Sequence, residues 1–88
     1  MTENELEKAL NRLPLSKLSV IIEGRPGRWV AVVSTPDFGA MEDHKRQELV
    51  WEHLLRSFAE TEVVEVEFIF TLTPDEYEAS MQAQQTAG

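Results

Sequence analysis

The chain has no cysteine among its 88 residues. Disulfides, thiolate metal sites and thiol nucleophiles are therefore excluded. Basic residues are scarce: 8 Lys+Arg stand against 16 Asp+Glu, a formal net charge of −8. Nonspecific nucleic-acid binding draws its affinity from Lys and Arg neutralising phosphates, so this balance argues against it. No apolar run approaches the ~20 residues of a membrane span. The acidic N-terminus also lacks the basic-then-apolar pattern of a secretory signal, and a cytoplasmic protein is the expectation. What is present suffices for one modest core. Hydrophobic residues make up 42% of the chain, and a domain of this size buries roughly 60–70% of its unfolded surface. A single domain over 1–88 is expected, with an ordered core at about 2–81 and a polar tail at 82–88.

Hydrophobic periodicity gives the order α-β-β-α-β-α, an α+β fold with a three-stranded mixed sheet and helices on one face. Thr2 to Leu13 reads as a helix through Leu6, Ala9, Leu10 and Leu13, opened by a Thr2–Glu5 capping box and closed by Pro14. Lys17–Glu23 and Arg28–Ser34 read as a hairpin about the turn Gly24-Arg25-Pro26-Gly27. Pro36 opens a short helical turn capped by Ser34 or Thr35. A long helix covers about Glu42 to Ala59, with Val50, Trp51, Leu54, Leu55 and Phe58 as its apolar face. Val63 to Leu72 reads as the third strand. Its period of two assigns Val64, Val66, Phe68, Phe70 and Leu72 to a buried face, and Glu65, Glu67 and Thr71, with Val63 and Ile69, to a wet one. Thr73-Pro74-Asp75-Glu76 opens a last helix, which fades after Met81. The crossover helix sets strands two and three parallel if they are neighbours.

The residues that carry chemistry are few. His44 and His53 lie on opposite sides of the long helix and cannot share a metal. Asp37, Asp43 and His44 have the donors for a weak divalent site, but a solvated acidic helix start is the plainer reading. Gly24-Arg25-Pro26-Gly27 matches a GxxG pattern that clamps nucleic-acid backbone between two helices; here it joins two strands, and a hairpin turn explains it. Ser34 and Thr35 have no histidine to activate them and suit capping. Glu65 and Glu67 are spaced about 7 Å apart on one strand face, a hydrolase-like distance, yet a sheet of three strands offers little cleft. Trp29, Ile21 and Ile69 either form an exposed apolar patch or lie under the helical layer; the pattern leaves both open.

Three stretches in this order resemble the BolA-like family. WVAVVSTPDFGAM resembles the family's second strand and Ser-Asp-x-Phe-x-Gly loop through Ser34, Phe38 and Gly39. KRQELVWEHL resembles its Arg-His-Arg-x-Val-Tyr segment through Arg46, Val50 and Trp51. FTLTPDEYE resembles its Thr-x-Thr-Pro-Glu-Glu-Trp ending through Thr71, Thr73, Pro74, Glu76 and Tyr77. The resemblance implies a KH-like class II fold. It also implies action through partners: members pair with monothiol glutaredoxins and share iron–sulfur clusters with them, and some bacterial members are linked to transcription. The departures are specific. The family's near-invariant cluster-ligating histidine falls at Phe70, the hairpin region that supplies its second ligand is EGRPGR, and its helix-start histidine is Gln47. The ligand set is absent, so no cofactor and no metal are expected.

The expectation is a non-enzymatic interaction or regulatory module that docks a glutaredoxin-type protein without sharing a cluster. By position, Arg46, Trp51, Phe38, Phe70, Tyr77 and Trp29 are the candidate partner surface, although Trp51 and Phe38 also fit a core role. A small acidic chaperone or adaptor acting as a dimer is the alternative. A homodimer through the sheet is a further expectation, because an edge strand carries free backbone groups. A KH-like nucleic-acid module ranks last.

Overall fold

The computed structural model describes residues 1–87; of residues 83–87 it describes the backbone alone. The elements are α1 (Glu3–Leu10), β1 (Ser19–Arg25), β2 (Arg28–Ser34), a 3₁₀ turn (Pro36–Ala40), α2 (Asp43–Ser57), the single turn α3 (Glu60–Val63), β3 (Val66–Leu72) and α4 (Pro74–Ala87). The sheet order is β1-β2-β3. β1 and β2 pair antiparallel and β2 and β3 parallel. This is the α+β order and mixed sheet that the periodicity implies. No helix among the described residues is long and apolar enough to cross a membrane.

Local chemistry explains several boundaries, although α1 ends at Leu10, short of the expected Leu13, and the starts of α2 and α3 have no side-chain cap. Thr2 and Glu5 form the complete capping box of α1, satisfying two backbone donors that a helix start leaves free. The helix then buries Leu6, Ala9 and Leu10. Two residues, Pro26 and Gly27, turn the hairpin, because Arg25 pairs with Arg28 and the strands run closer to the tip than the sequence pattern suggests. Thr35 caps the 3₁₀ turn by accepting from the Asp37 amide at 3.2 Å. In α2, Arg46, Val50 and Leu54 are the buried positions. Their i, i+4, i+8 spacing keeps them on one stripe. α4 continues past Met81, where its sequence pattern fades; Gly88, the end of the expected polar tail, lies outside the described residues.

The core lies between the sheet's inner face and α1 and α2. Leu6, Leu10, Phe38, Val50, Leu54, Ala31 and Val33 are all fully buried there. Each large side chain among them contributes about 1.5–3 kcal/mol relative to exposure.

The third strand departs from the expected alternation. Its register steps from Trp29↔Val66 directly to Val30↔Phe68, which leaves Glu67 as an extra, bulged residue. A bulge of one residue reverses which face every later side chain occupies. Val66, before the bulge, points inward as its alternation implies. After the bulge Ile69 and Thr71 point inward instead of Phe68 and Phe70, and Val66, Ile69 and Thr71 are each at least nine-tenths buried. Phe68 and Phe70, expected inside, point outward and are 61% and 50% exposed. The strand also starts later than its pattern suggests: Val63 ends α3, and Val64 is exposed. Leu55, expected on the apolar face of α2, is half exposed.

Candidate functional site

Two places draw together the residues singled out by sequence. The first is internal. Arg46 is 6% exposed and sits under the start of α4. Its Nε donates to the Met41 carbonyl at 3.1 Å, and its Nη1 to the Thr71 carbonyl at 3.1 Å and to Glu76 Oε1 at 2.7 Å. The guanidinium lies 5.7 Å from the centre of the Phe38 ring. One side chain thus ties α2, β3, α4 and the 3₁₀ turn together. Glu76 also accepts from the Thr73 amide at 2.8 Å, closing a capping box at the start of α4. The Arg46 hydrogen bond, with that backbone amide, holds the Glu76 carboxyl below the usual glutamate range.

Gln47 extends the network. Its Nε2 donates to the Ile69 carbonyl at 2.8 Å and to Thr71 Oγ1 at 3.2 Å, while its Oε1 accepts from Trp51 Nε1 at 3.0 Å. Arg46 and Gln47 together occupy two β3 carbonyls that an added strand would otherwise find. These engaged groups remove much of the argument for a homodimer built on strand pairing at β3. Sequence reasoning missed this role for Gln47, Thr71 and Glu76. The available signal was Arg46 itself: a charged residue on the Val50–Leu54 stripe of a helix needs buried partners.

The second place is the outer face of the sheet. Two rows cross it, Ile21–Val32–Phe70 and Glu23–Val30–Phe68. The Phe68 and Phe70 rings stack with centroids 6.3 Å apart and planes 22° from parallel. α4 borders this face. Tyr77 lines two adjoining hollows of about 270 and 260 Å³, both floored by Ile21 and Val32, and Phe70 and Met81 line the second.

The expected partner surface therefore divides. Phe70 and Tyr77 meet at the outer face. Phe38 and Arg46 are interior, and so is Trp29, 5% exposed, with its indole nitrogen buried and without a hydrogen-bond partner among the described residues. None of these three offers a surface. Trp51 is partly buried against the core. The alternative of a Trp29–Ile21–Ile69 patch dissolves, because Trp29 and Ile69 face inward. An exposed patch exists on the opposite face, built by Phe68 and Phe70.

The remaining candidates are engaged elsewhere. Asp37 Oδ2 accepts from the Ser16 amide at 2.8 Å, and exposed His44 lies 3.4 Å from Glu42. His53 Nε2 donates to the Ala9 carbonyl at 2.6 Å, so that nitrogen has no lone pair for a metal. Thr35 Oγ1 donates to the Ser16 carbonyl. Among the described residues no group of three or more His, Cys, Asp or Glu is placed to hold a metal ion. A shared iron–sulfur cluster does not fit the residues present: Phe70 stands where the resembled family has its histidine, and the hairpin Glu23–Arg28 offers neither imidazole nor thiolate.

No family model matches the chain, and no curated protein does. Solved structures do. The chain is similar to a BolA protein homologue from Coxiella burnetii, with 29% identity over 89% of this chain and 97% of that one, and a TM-score of 0.67. BolA1 from Arabidopsis thaliana is 20% identical, covering 85% of this chain and 98% of its own length, with a TM-score of 0.63. A BolA-like protein from Babesia bovis is 21% identical over 91% and 93%, with a TM-score of 0.57. The last two speak to the fold alone. The fold, the motif order and the Coxiella likeness together make the chain similar to the BolA-like proteins.

Proposed function

We propose that this BolA-like chain is a non-enzymatic, cytoplasmic interaction module that docks a glutaredoxin-type protein without sharing an iron–sulfur cluster. One observation carries the reading. At the position where the resembled family keeps its ligating histidine, this chain has Phe70, half exposed and stacked beside Phe68. A phenyl ring has no lone pair for iron, but an exposed aromatic pair is suited to contact, since aromatic residues are enriched where partners bind. The engaged states of Thr35, Asp37 and His53 support a scaffold rather than a reaction centre.

Nitrogen-15 NMR titration of the protein with an apo monothiol glutaredoxin tests this. Shifts are expected at Phe68, Phe70 and Tyr77, with Arg46 and Phe38 unmoved inside the fold. A spectrum unchanged at millimolar partner would remove the glutaredoxin from the account.

A further inference from the structure

We propose that the outer face of the sheet is a docking surface for a basic, amphipathic segment of a protein partner. This rests on the interaction-module reading and adds to it the surface and the chemistry of what covers it. An exposed apolar patch on a small domain marks an interaction site more often than a stray side chain does. Here the patch is continuous. Phe68 and Phe70 are 61% and 50% exposed, and the hollows on either side of Tyr77 extend it across the sheet to Ile21. Such a trough between sheet and helix admits side chains spaced along one face of an amphipathic segment. Addition of a strand at β3 is a poorer mode, because Arg46 and Gln47 already occupy the Thr71 and Ile69 carbonyls.

Charge selects the occupant. Glu23 lies within the Val30–Phe68 row, Glu67 is the bulged residue beside it, and Glu78 rims the first hollow. None of the three makes an ion pair within 4 Å among the described residues. Covering a carboxylate costs free energy unless the cover brings a cation. The occupant therefore carries Lys or Arg among its apolar residues. Arg25 and Arg28 pair at the hairpin tip, and Lys17 lies at the far rim, so the local cations mark the two ends of the strip rather than its middle. A second copy fits poorly: each copy has a net charge of −8 and would bring its own Glu23 to the contact. Nucleic acid and anionic lipid share the sign of the surface and are repelled by it.

The test uses two synthetic amphipathic helical peptides of equal length, one of Leu and Lys and one of Leu and Glu, titrated into the labelled full chain. The Leu/Lys peptide is expected to shift residues 21, 30, 32, 68 and 70 and to bind at least tenfold more tightly than the Leu/Glu peptide. Phe70→Ser should weaken it at least tenfold. The double substitution Glu23→Lys with Glu67→Lys should reverse the preference. All three positions are exposed, so folded spectra are expected for these variants. Equal binding of both peptides, no binding at millimolar peptide, shifts centred on α2, or a dimer that protects the outer face without peptide would each overturn the proposal. Glutaredoxin shifts confined to another face would also overturn it, while leaving the interaction-module reading standing.

Discussion

Replacing Arg46 by methionine should lower the unfolding free energy by about 3 kcal/mol and the melting temperature by roughly 12–24 °C. Methionine keeps most of the apolar stem but donates nothing. The Met41 and Thr71 carbonyls then lose the Arg46 donor, and the Glu76 carboxylate keeps the Thr73 amide. Breaking a buried ionic contact costs about 3–5 kcal/mol because it leaves the partner uncompensated. Glu76 is 47% exposed, so water recovers part of that loss, and the lower end of the range applies. Arg46→Lys should fall between, since one ammonium cannot span three acceptors on three elements. The acid side gives a second readout. Glu76 titrates below its ordinary value in the folded chain, so its contribution is complete above the usual glutamate range and fades as pH falls through the depressed value. The stability gap between the native chain and Arg46→Met should therefore narrow below about pH 4. Urea unfolding at pH 7 and at acid pH measures both. A loss under about 1 kcal/mol at pH 7 would mean that Arg46 counts for no more than a surface arginine.

Gly24→Ala should be more damaging than Gly27→Ala by about 2–4 kcal/mol, although both glycines have positive φ. Gly24 has φ +99°, pairs with Trp29, and a Cβ there would lie 2.2 Å from the Arg28 backbone carbonyl oxygen. Backbone cannot rotate aside as a flexible side chain does, so the hairpin itself must shift, and Trp29 with it. Gly27 has φ +85° but open space around the missing Cβ, so alanine there meets only the conformational cost, about 1–2 kcal/mol. Thermal melts of the two variants provide the comparison. Equal losses would show that the close approach at Gly24 relaxes at little cost.

The elements that local rules dictate were legible in the residues. The Thr2–Glu5 box, the β2 limits Arg28–Ser34 and the Thr73–Pro74 opening of α4 stand where their chemistry puts them. Strand three shows where that reasoning ends. The run Val66–Leu72 has a clean alternation, and the alternation points the wrong way after Glu67. Glycine often marks a bulge, but Glu67 carries no such mark, and nothing in the strand's own sequence signals the extra residue. The register is set by what β2 and α2 demand: Ile69 fills the core, and Thr71 Oγ1 meets Gln47. Arg46 was misplaced for a related reason. Its place in the resembled helix-start segment suggests surface, whereas its spacing to Val50 and Leu54 puts it on the buried stripe. Of the candidate surface, Phe70 and Tyr77 meet on the outer face, while Arg46, Phe38 and Trp29 are buried.

Docking without ligation leaves a glutaredoxin's iron–sulfur cluster unchanged, and the cluster's own visible spectrum reads this. A monothiol glutaredoxin loaded with its iron–sulfur cluster is titrated with this chain and followed by visible circular dichroism, with NMR shifts recorded on the same samples. Shifts at Phe68 and Phe70 are expected, with a visible spectrum that stays that of the glutaredoxin alone. A new visible band that grows to a stoichiometric end point would place a ligand from this chain on the cluster and contradict the account.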